Sequence, residues 1–166
     1  AMISGVGVHS GTVTGFYNAG SFAGMAAGGS ISDCYSRADV IGGDPSGGSQ
    51  NIGGFMGSIG NYGFGTTTVE RCYYAGTVTG NGVAGTVGGF IGLDEGTGVY
   101  AYNYWDHDLN PTLPSIGNIA APEGITSKTT AEMYAAGTYQ TWDFVDTWFI
   151  MEGSDYPIFV SSVVIW

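Results

Sequence analysis

The sequence predicts an all-β fold, a β-solenoid of three to four stacked coils with a C-terminal cap. Two observations support this prediction. Glycine supplies 31 of the 166 residues, and with Ser, Thr, Asn and Tyr it gives a composition that suits strands and turns and forms helices poorly. Three short signatures also recur in a fixed order, as repeats of about 20–50 residues do in stacked architectures. We expect one domain, residues 1–166, with repeat coils at 3–110 and a capping segment at 111–166.

The first signature is Gly-(Gly/Ser)-Phe-x-Gly, which begins at Gly20, Gly53 and Gly88, at spacings of 33 and 35 residues. Each coil of a stack buries its inward side chains only against its neighbouring coils, so each column must keep one type of side chain. Glycines fall where a coil turns a corner, because a corner requires positive φ or a close approach of two backbones. We expect three strands per coil: one around this signature, one leading into the Cys-Tyr pairs and one around the TVTG motif.

The second signature is a Cys-Tyr pair that begins at Cys34 and at Cys72, and an aliphatic residue follows each cysteine six positions later. Because the two cysteines share a column, their Cα atoms are expected about 4.8 Å apart on adjacent coils, which a disulfide tolerates. Stacked buried thiols are the alternative, since cysteine is among the most buried residue types. The aligned residues are Gly7, Cys34, Cys72 and Asn103 in the second signature and Val13, Val40, Val78 and Leu109 in the third.

The motifs GTVTG, GGFMG, TVERCYYAGTVTG, GGFIG and YNYWD together resemble the GLUG-type repeat of large bacterial surface proteins. Such proteins include adhesins and the non-catalytic parts of some immunoglobulin A-cleaving metallopeptidases. The resemblance covers about residues 3–110, and the later run TTAEMYAAGTYQTWDF with WFIMEGSDYPIF is similar to the segment that closes such arrays. It implies a right-handed solenoid in a secreted or bacterial cell-surface protein. The first copy departs from the pattern because it lacks the cysteine, and the last copy has Asn103 there.

The closing segment has a different pattern from the repeats. TTAEMYAAG contains Thr129, which suits a helix N-cap, and Gly137, where a helix would stop, so one short helix is expected. TWDFVDTWFIM and YPIFVSSVVIW are rich in aromatic and β-branched residues and predict strands. An open end of a β-stack exposes unpaired backbone groups, and this segment is expected to cover it.

Composition and motifs exclude several classes of function. Fourteen acidic residues against three basic ones give a net charge of −11, which repels nucleic acid and anionic lipid surfaces. No apolar run reaches about 18 residues, so no membrane insertion is expected. HExxH is absent, His9 and His107 lie in unrelated phases of the repeat, and the carboxylates are scattered. The chain is therefore predicted not to be an enzyme.

Aromatic residues cluster in two places, which are the predicted contact sites. Successive strand residues point to opposite faces of a sheet, so some of these rings are expected to face solvent, where they stack on sugars or anchor a protein. The leading prediction is a non-catalytic, extracellular adhesin-type binding or scaffold module for a glycan or protein on a host or neighbouring cell. A ladder that stiffens one sheet is the alternative role for the rings. The residues are Tyr73, Tyr74, Tyr100, Tyr102, Tyr104 and Trp105.

Self-association is the alternative function. The apolar run SSVVIW can add a strand to the sheet of a neighbouring molecule, which would make the protein a filament or spacer subunit. The residues of this predicted assembly element are Val163, Val164, Ile165 and Trp166.

Ice binding ranks below both of these functions. A flat array of Thr-x-Thr motifs can order water, and three pairs match that motif: Thr12 with Thr14, Thr66 with Thr68, and Thr77 with Thr79. The array is interrupted in the intervening repeat, where Val40-Ile41 takes its place.

A calcium site is a further alternative, and no other cofactor is predicted. DHDLN places the oxygen ligands of Asp106, Asp108 and Asn110 at alternate positions, as at the start of a calcium loop. Pro111 and Gly117 depart from the loop pattern, which requires glycine and a bidentate glutamate at those positions.

Overall fold

The computed structural model describes residues 1–43, 50–80 and 85–162. In this part of the chain most of the ordered elements are short strands, helix is almost absent, and the sheets of the repeat region are parallel, which confirms the all-β prediction.

Three consecutive segments supply five strands each and a fourth supplies two, and we call each set a row. Row 1 comprises β1 (Met2–Ser4), β2 (Gly7–Val8), β3 (Thr12–Gly15), β4 (Asn18–Ala19) and β5 (Ala23–Ala26). Row 2 comprises β6 (Gly29–Ser32), β7 (Tyr35–Ser36), β8 (Asp39–Gly42), β9 (Gln50–Gly53) and β10 (Met56–Ile59). Row 3 comprises β11 (Thr67–Glu70), β12 (Tyr73–Tyr74), β13 (Val78–Thr79), β14 (Gly85–Gly88) and β15 (Ile91–Asp94), and row 4 comprises β16 (Gly98–Ala101) and β17 (Asn103–Asp106).

Strands in the same position of successive rows pair in parallel, so each sheet takes one strand from each row that reaches it. One more strand, β18 (Ile125–Lys128), pairs with β17. Sheet A has the order β1-β6-β11-β16 and sheet B the order β2-β7-β12-β17-β18. Sheets C, D and E have the orders β3-β8-β13, β4-β9-β14 and β5-β10-β15. The rows therefore lie on one another, and equivalent residues of each repeat form columns.

Each full row has five strands and not the three expected from the sequence. The strand expected before the Cys-Tyr pair divides at Arg71, whose φ of 49° lies in the left-handed region and turns the chain from sheet A to sheet B. The GGFxG signature also spans a corner, because Gly53 ends β9 and Met56 begins β10. The chain thus changes direction inside motifs to which we had assigned single strands.

The corner between sheets A and B repeats along the stack. Asp33, Arg71 and Tyr102 have φ of 51°, 49° and 55°, and the equivalent Gly5 and Gly124 also have positive φ. Asp33 and Arg71 form a bidentate ion pair along this corner, with N–O distances of 2.8 and 3.0 Å. Glycine was expected at such corners, yet the three middle positions hold other residues in a conformation that usually favours glycine.

The strand register confirms two of the predicted columns. The alignment of Gly7 with Cys34 is wrong, because Gly7 pairs with Tyr35 and row 1 carries an extra residue before its next column. Leu109 lies outside the strands, so the third column ends in row 3. The confirmed partners are Val13, Val40 and Val78 in one column and Tyr35, Tyr73 and Tyr104 in the other.

The interior of the stack is filled by columns of apolar side chains. Phe22, Phe55 and Phe90 come from the three GGFxG-type signatures, and their rings stack with centroids 4.5 and 5.0 Å apart. Row 1 lies at one end of the stack, and there the interior column is partly open. Ile3 is 42% exposed, whereas its partner Ile31 in row 2 is 5% exposed.

Residues 107–124 run along the other end of the stack, where asparagine side chains form hydrogen bonds with backbone N–H and C=O groups of row 3. The Asn110 amide accepts a hydrogen bond from Val78 N at 2.7 Å and donates one to Gly76 O at 2.9 Å. The Asn118 amide does the same with the backbone of Asp94, at 3.0 and 2.8 Å. A side-chain amide carries the same donor and acceptor as a backbone peptide, so these two residues replace a strand at this end.

The closing segment contains a short helix, α1 (Thr130–Met133), and two short antiparallel strands, β19 (Trp148–Phe149) and β20 (Ile158–Phe159). The predicted stop at Gly137 is wrong, because the helix ends at Met133 and Gly137 lies in a separate 3-10 turn, Ala136–Thr138. Thr129 caps the helix as predicted, through a capping box with Glu132. Within the described ranges, no helix has the length and apolar character needed to cross a membrane.

Residues 129–162 cover the outward side of sheet B, whereas we had expected them to cover an end of the stack. The hydroxyl of Tyr73 donates a hydrogen bond to Pro157 O at 2.7 Å, and Arg37 donates one to Tyr156 O at 2.9 Å. Burial of large aromatic rings drives this packing. The cluster joins Tyr35, Tyr73 and Tyr104 of sheet B to Met133, Tyr139, Trp142 and Trp148 of the closing segment.

Candidate functional site

Four of the six aromatic residues predicted to make contacts are buried. Tyr73 and Tyr74 are fully covered, and Tyr104 and Trp105 are 5% and 1% exposed, so the prediction that they contact a ligand through an exposed ring face is wrong. The alternation of side chains along the strands is as expected, but neither direction leads to solvent. Tyr74 and Trp105 point into the core of the stack, and the other two rings lie under the closing segment.

The two inward rings have structural hydrogen bonds. The hydroxyl of Tyr74 lies 3.1 Å from Ala38 O and 3.0 Å from Thr77 O. The indole Nε1 of Trp105 donates to the Ser115 hydroxyl at 3.0 Å. Buried polar groups need such partners, and these rings therefore serve the core.

A groove of about 510 Å³ lies where sheets A and B meet the closing segment. We call it the tyrosine groove. It combines side chains from strands β16, β17 and β18 with side chains that follow the short helix, so residues nearly 40 positions apart in sequence meet there. Its principal lining residues are Tyr100, Tyr102, Tyr104, Thr126, Lys128 and Gln140.

Tyr102 is the exposed ring of this groove. It is 41% exposed and occupies the left-handed corner between sheets A and B. Its carbonyl accepts a hydrogen bond from Trp142 Nε1 at 3.1 Å, and the adjacent Ala101 carbonyl accepts one from Arg71 N at 3.0 Å. The backbone that carries the ring is therefore fixed from two sides.

Of the other two tyrosines, Tyr104 lies under the closing segment at the floor of the groove, whereas the ring of Tyr100 packs against the core of the stack. Tyr100 donates its hydroxyl hydrogen to Asp94 at 2.8 Å, and the hydroxyl of Tyr104 accepts a hydrogen bond from Gln140 N at 3.2 Å. Burial raises the pKa of both phenols above the usual value, and for Tyr100 the hydrogen bond to Asp94 raises the pKa further. Both hydroxyls therefore stay neutral in the physiological pH range.

Lys128 provides the one cationic side chain of the lining, and its charge is paired. Its Nζ lies 2.9 Å from Glu132 Oε1. Hydrogen bonds from the Thr129 backbone and from Lys128 and Thr129 side chains lower the pKa of Glu132 to about 2, so this carboxylate remains charged. The groove consequently presents aromatic, hydroxyl and amide groups more than free charge.

The three residues of the proposed calcium site use their oxygens for hydrogen bonds within the protein. Asp106 accepts hydrogen bonds from the hydroxyls of Thr130 and Tyr156, both at 2.6 Å. Asp108 accepts one from Thr130 N at 3.0 Å, and the Asn110 amide is bound to row 3. Across the described ranges, no group of three or more His, Cys, Asp or Glu side chains is placed to hold a metal ion. The geometry joins the closing segment to the stack and gives the calcium hypothesis no support.

Replacing Asp106 by alanine is expected to destabilise the protein by about 2–3 kcal/mol, because two hydroxyl donors lose a charged acceptor in a buried position. Urea unfolding followed by tryptophan fluorescence measures this change. Asp146, an exposed carboxylate, is the matched control, and Asp146→Ala should change the free energy of unfolding by less than about 0.5 kcal/mol. Equal effects of the two variants would contradict the structural role of Asp106.

Cys34 and Cys72 are buried free thiols on adjacent rows, which is the stacked-thiol alternative. Their sulfurs donate hydrogen bonds to Ser32 O at 3.1 Å and to Glu70 O at 3.3 Å. Burial raises the pKa of Cys72 well above its usual value, which keeps the thiol protonated and unreactive. Asn103 continues the same column, and its side chain accepts a hydrogen bond from Cys72 N at 3.0 Å.

No observation in the described residues supports the ice-binding hypothesis or the filament hypothesis. The outer face of sheet C pairs Thr14 with Ile41 and Thr12 with Asp39, so the threonine array needed for ice binding is interrupted at both positions of row 2. The predicted assembly residues Val163, Val164, Ile165 and Trp166 lie outside the described residues, and the filament hypothesis stays a prediction.

Comparison with known proteins identified no relative of this chain. No family model, no curated protein and no solved structure matches the chain. The interpretation of the tyrosine groove therefore rests on its geometry and chemistry.

Proposed function

We propose that the stacked rows form a β-solenoid of the GLUG-repeat type. The parallel order of sheets A to E supports this proposal, because each row contributes one strand to each sheet that it reaches, and equivalent residues form columns. Such a stack stabilises each row through its neighbours alone.

The function that this scaffold supports best is that of a non-catalytic, extracellular adhesin-type binding module on a bacterial surface. The tyrosine groove is the observation that carries the proposal. Its volume of about 510 Å³ lies in the range of about 300–1,000 Å³ typical of small-molecule sites, and it exposes an aromatic ring beside uncharged polar groups. Enzymes of the carbohydrate-cleaving type need two carboxylates about 5–10 Å apart across a cleft, and the groove lining includes one carboxylate, that of Glu123.

Binding of the fluorescently labelled chain to intact host and bacterial cells tests this function. We expect saturable binding that an excess of unlabelled chain displaces. Periodate treatment of the cells destroys glycan receptors and protease treatment destroys protein receptors, so the two treatments separate the two classes of partner. If no cell type showed saturable binding, the proposal would be refuted.

A further inference from the structure

We propose that the tyrosine groove binds a neutral sugar ring, with Tyr102 as the stacking platform and with Gln140 and Thr126 as hydrogen-bonding groups. This inference deepens the proposed function and rests on it. It assigns the ligand class and the role of each residue.

The first step of the argument is the position of the Tyr102 ring. An aromatic face carries negative charge density and attracts polarised C–H groups, which a pyranose presents on one side of its ring. Among the three groove tyrosines, Tyr100 is half-buried and Tyr104 is buried, whereas Tyr102 is 41% exposed. The two hydrogen bonds to its backbone and to that of Ala101 mean that no backbone ordering is needed when a ligand stacks on the ring.

The second step is the set of polar groups around the platform. Gln140 and Thr126 are both exposed at the groove. A side-chain amide offers two donors and an acceptor, and a hydroxyl offers a donor and an acceptor. Neighbouring sugar hydroxyls also act as both donors and acceptors, so these side chains match them. The hydrogen bond from Gln140 N to Tyr104 and the pairing of β18 with β17 hold the backbones of both residues in place.

The third step is charge, which favours a neutral sugar over an anionic one. All three basic side chains of the chain lie in the described ranges, and each forms an ion pair with a carboxylate. The pairs are Arg37 with Asp155, Arg71 with Asp33 and Lys128 with Glu132. A net charge of −11 and the carboxylate of Glu123 in the groove lining repel carboxylated or sulfated sugars.

The test is a titration of the isotope-labelled full chain followed by NMR amide shifts. The probes are three neutral trisaccharides, maltotriose, cellotriose and N,N′,N″-triacetylchitotriose, and one anionic trisaccharide, 3′-sialyllactose. We expect at least one neutral probe to bind with a Kd of about 1 mM or tighter, with shifts at residues 124–128 and 138–140. Binding of 3′-sialyllactose should be at least tenfold weaker than that of the best neutral probe.

Variants assign the site. Tyr102→Ala should weaken binding of the neutral probe at least tenfold, whereas Tyr102→Phe should retain it, because stacking needs the ring and not the hydroxyl. Gln140→Ala should weaken binding about fivefold. This variant still tests the site if Tyr102→Ala does not fold. Tyr62→Ala removes another exposed tyrosine, 58% exposed and outside the groove lining, and should bind as the unaltered chain does.

Three outcomes would overturn the sugar assignment: no saturable shift with any neutral probe, tighter binding of 3′-sialyllactose, or binding that survives both Tyr102→Ala and Gln140→Ala. The binding experiment with whole cells distinguishes this failure from failure of the proposed function. If cells are still bound saturably, the module binds its partner through a different group or surface, and only the sugar assignment is lost.

Discussion

Replacing Gly53 by alanine is expected to destabilise the protein by more than about 3 kcal/mol or to prevent folding. A methyl group at this position would overlap the carbonyl oxygen of Met56 and the backbone N of Gly92 in the next row. Overpacking usually costs about 1–3 kcal/mol, and the cost is higher here because backbone atoms on two rows cannot move aside as a flexible side chain can. Urea unfolding followed by circular dichroism measures the change.

Gly137 provides the matched control for this substitution. An added methyl group there meets no atom within 4 Å, and its φ is not in the left-handed region. We expect Gly137→Ala to change the free energy of unfolding by less than about 1 kcal/mol. A similarly small effect of Gly53→Ala would show that the rows do not approach as closely as the structure indicates.

Phe55→Ala is expected to destabilise the protein by about 3–5 kcal/mol, which is the usual cost of truncating a buried phenylalanine. The ring is fully buried between Phe22 and Phe90, so the substitution also removes two aromatic contacts, each contributing about 0.5–1.5 kcal/mol beyond burial. Because small domains are stable by only about 5–15 kcal/mol, thermal unfolding should show a large decrease in Tm.

The control for Phe55 is Phe64, which is 75% exposed between β10 and β11. Phe64→Ala should change stability by less than about 0.5 kcal/mol. If both variants lost the same amount, the phenylalanine column would not be the centre of the core.

These two substitutions explain why the GGFxG signature recurs. The phenylalanine fills the interior of each row, and the glycines beside it let neighbouring backbones pass within van der Waals contact. The second glycine has a further role, because an added methyl group at Gly89 would overlap the ring of Trp105. One motif therefore sets both the core and the spacing of the rows, which supports the repeat as the unit of the fold.

The closing segment forms one side of the tyrosine groove. It buries the outward tyrosines of sheet B under its own tryptophans. Gly137, Thr138 and Gln140, which precede those tryptophans in the chain, line a groove with residues of β18, and one ring of this groove is exposed. Asp106 anchors this segment through Thr130 and Tyr156. We expect the position of the groove to depend on that anchor, because Asp106 belongs to β17 and holds two points of the closing segment.

The sequence by itself determined the all-β class, the phase of the main columns and the short capped helix. Recurring residues at fixed offsets specify these features locally, since equivalent strands must place like side chains together, as Val40 and Val78 do. The capping box at Thr129 is local as well. The same offsets also identified the aromatic clusters, although not which of their rings reach solvent.

Only the tertiary structure decided which tyrosine of the aromatic clusters is exposed to solvent. Strand alternation says that Tyr73 and Tyr104 point away from the interior, but it cannot say that Trp142 and Trp148, far along the chain, pack over that face. The groove likewise depends on the contact between Tyr102 and Trp142, which lies 40 residues later. Burial of the aromatic rings stabilises that packing. Because the buried area depends on contacts between residues distant in sequence, a local sequence pattern does not predict it.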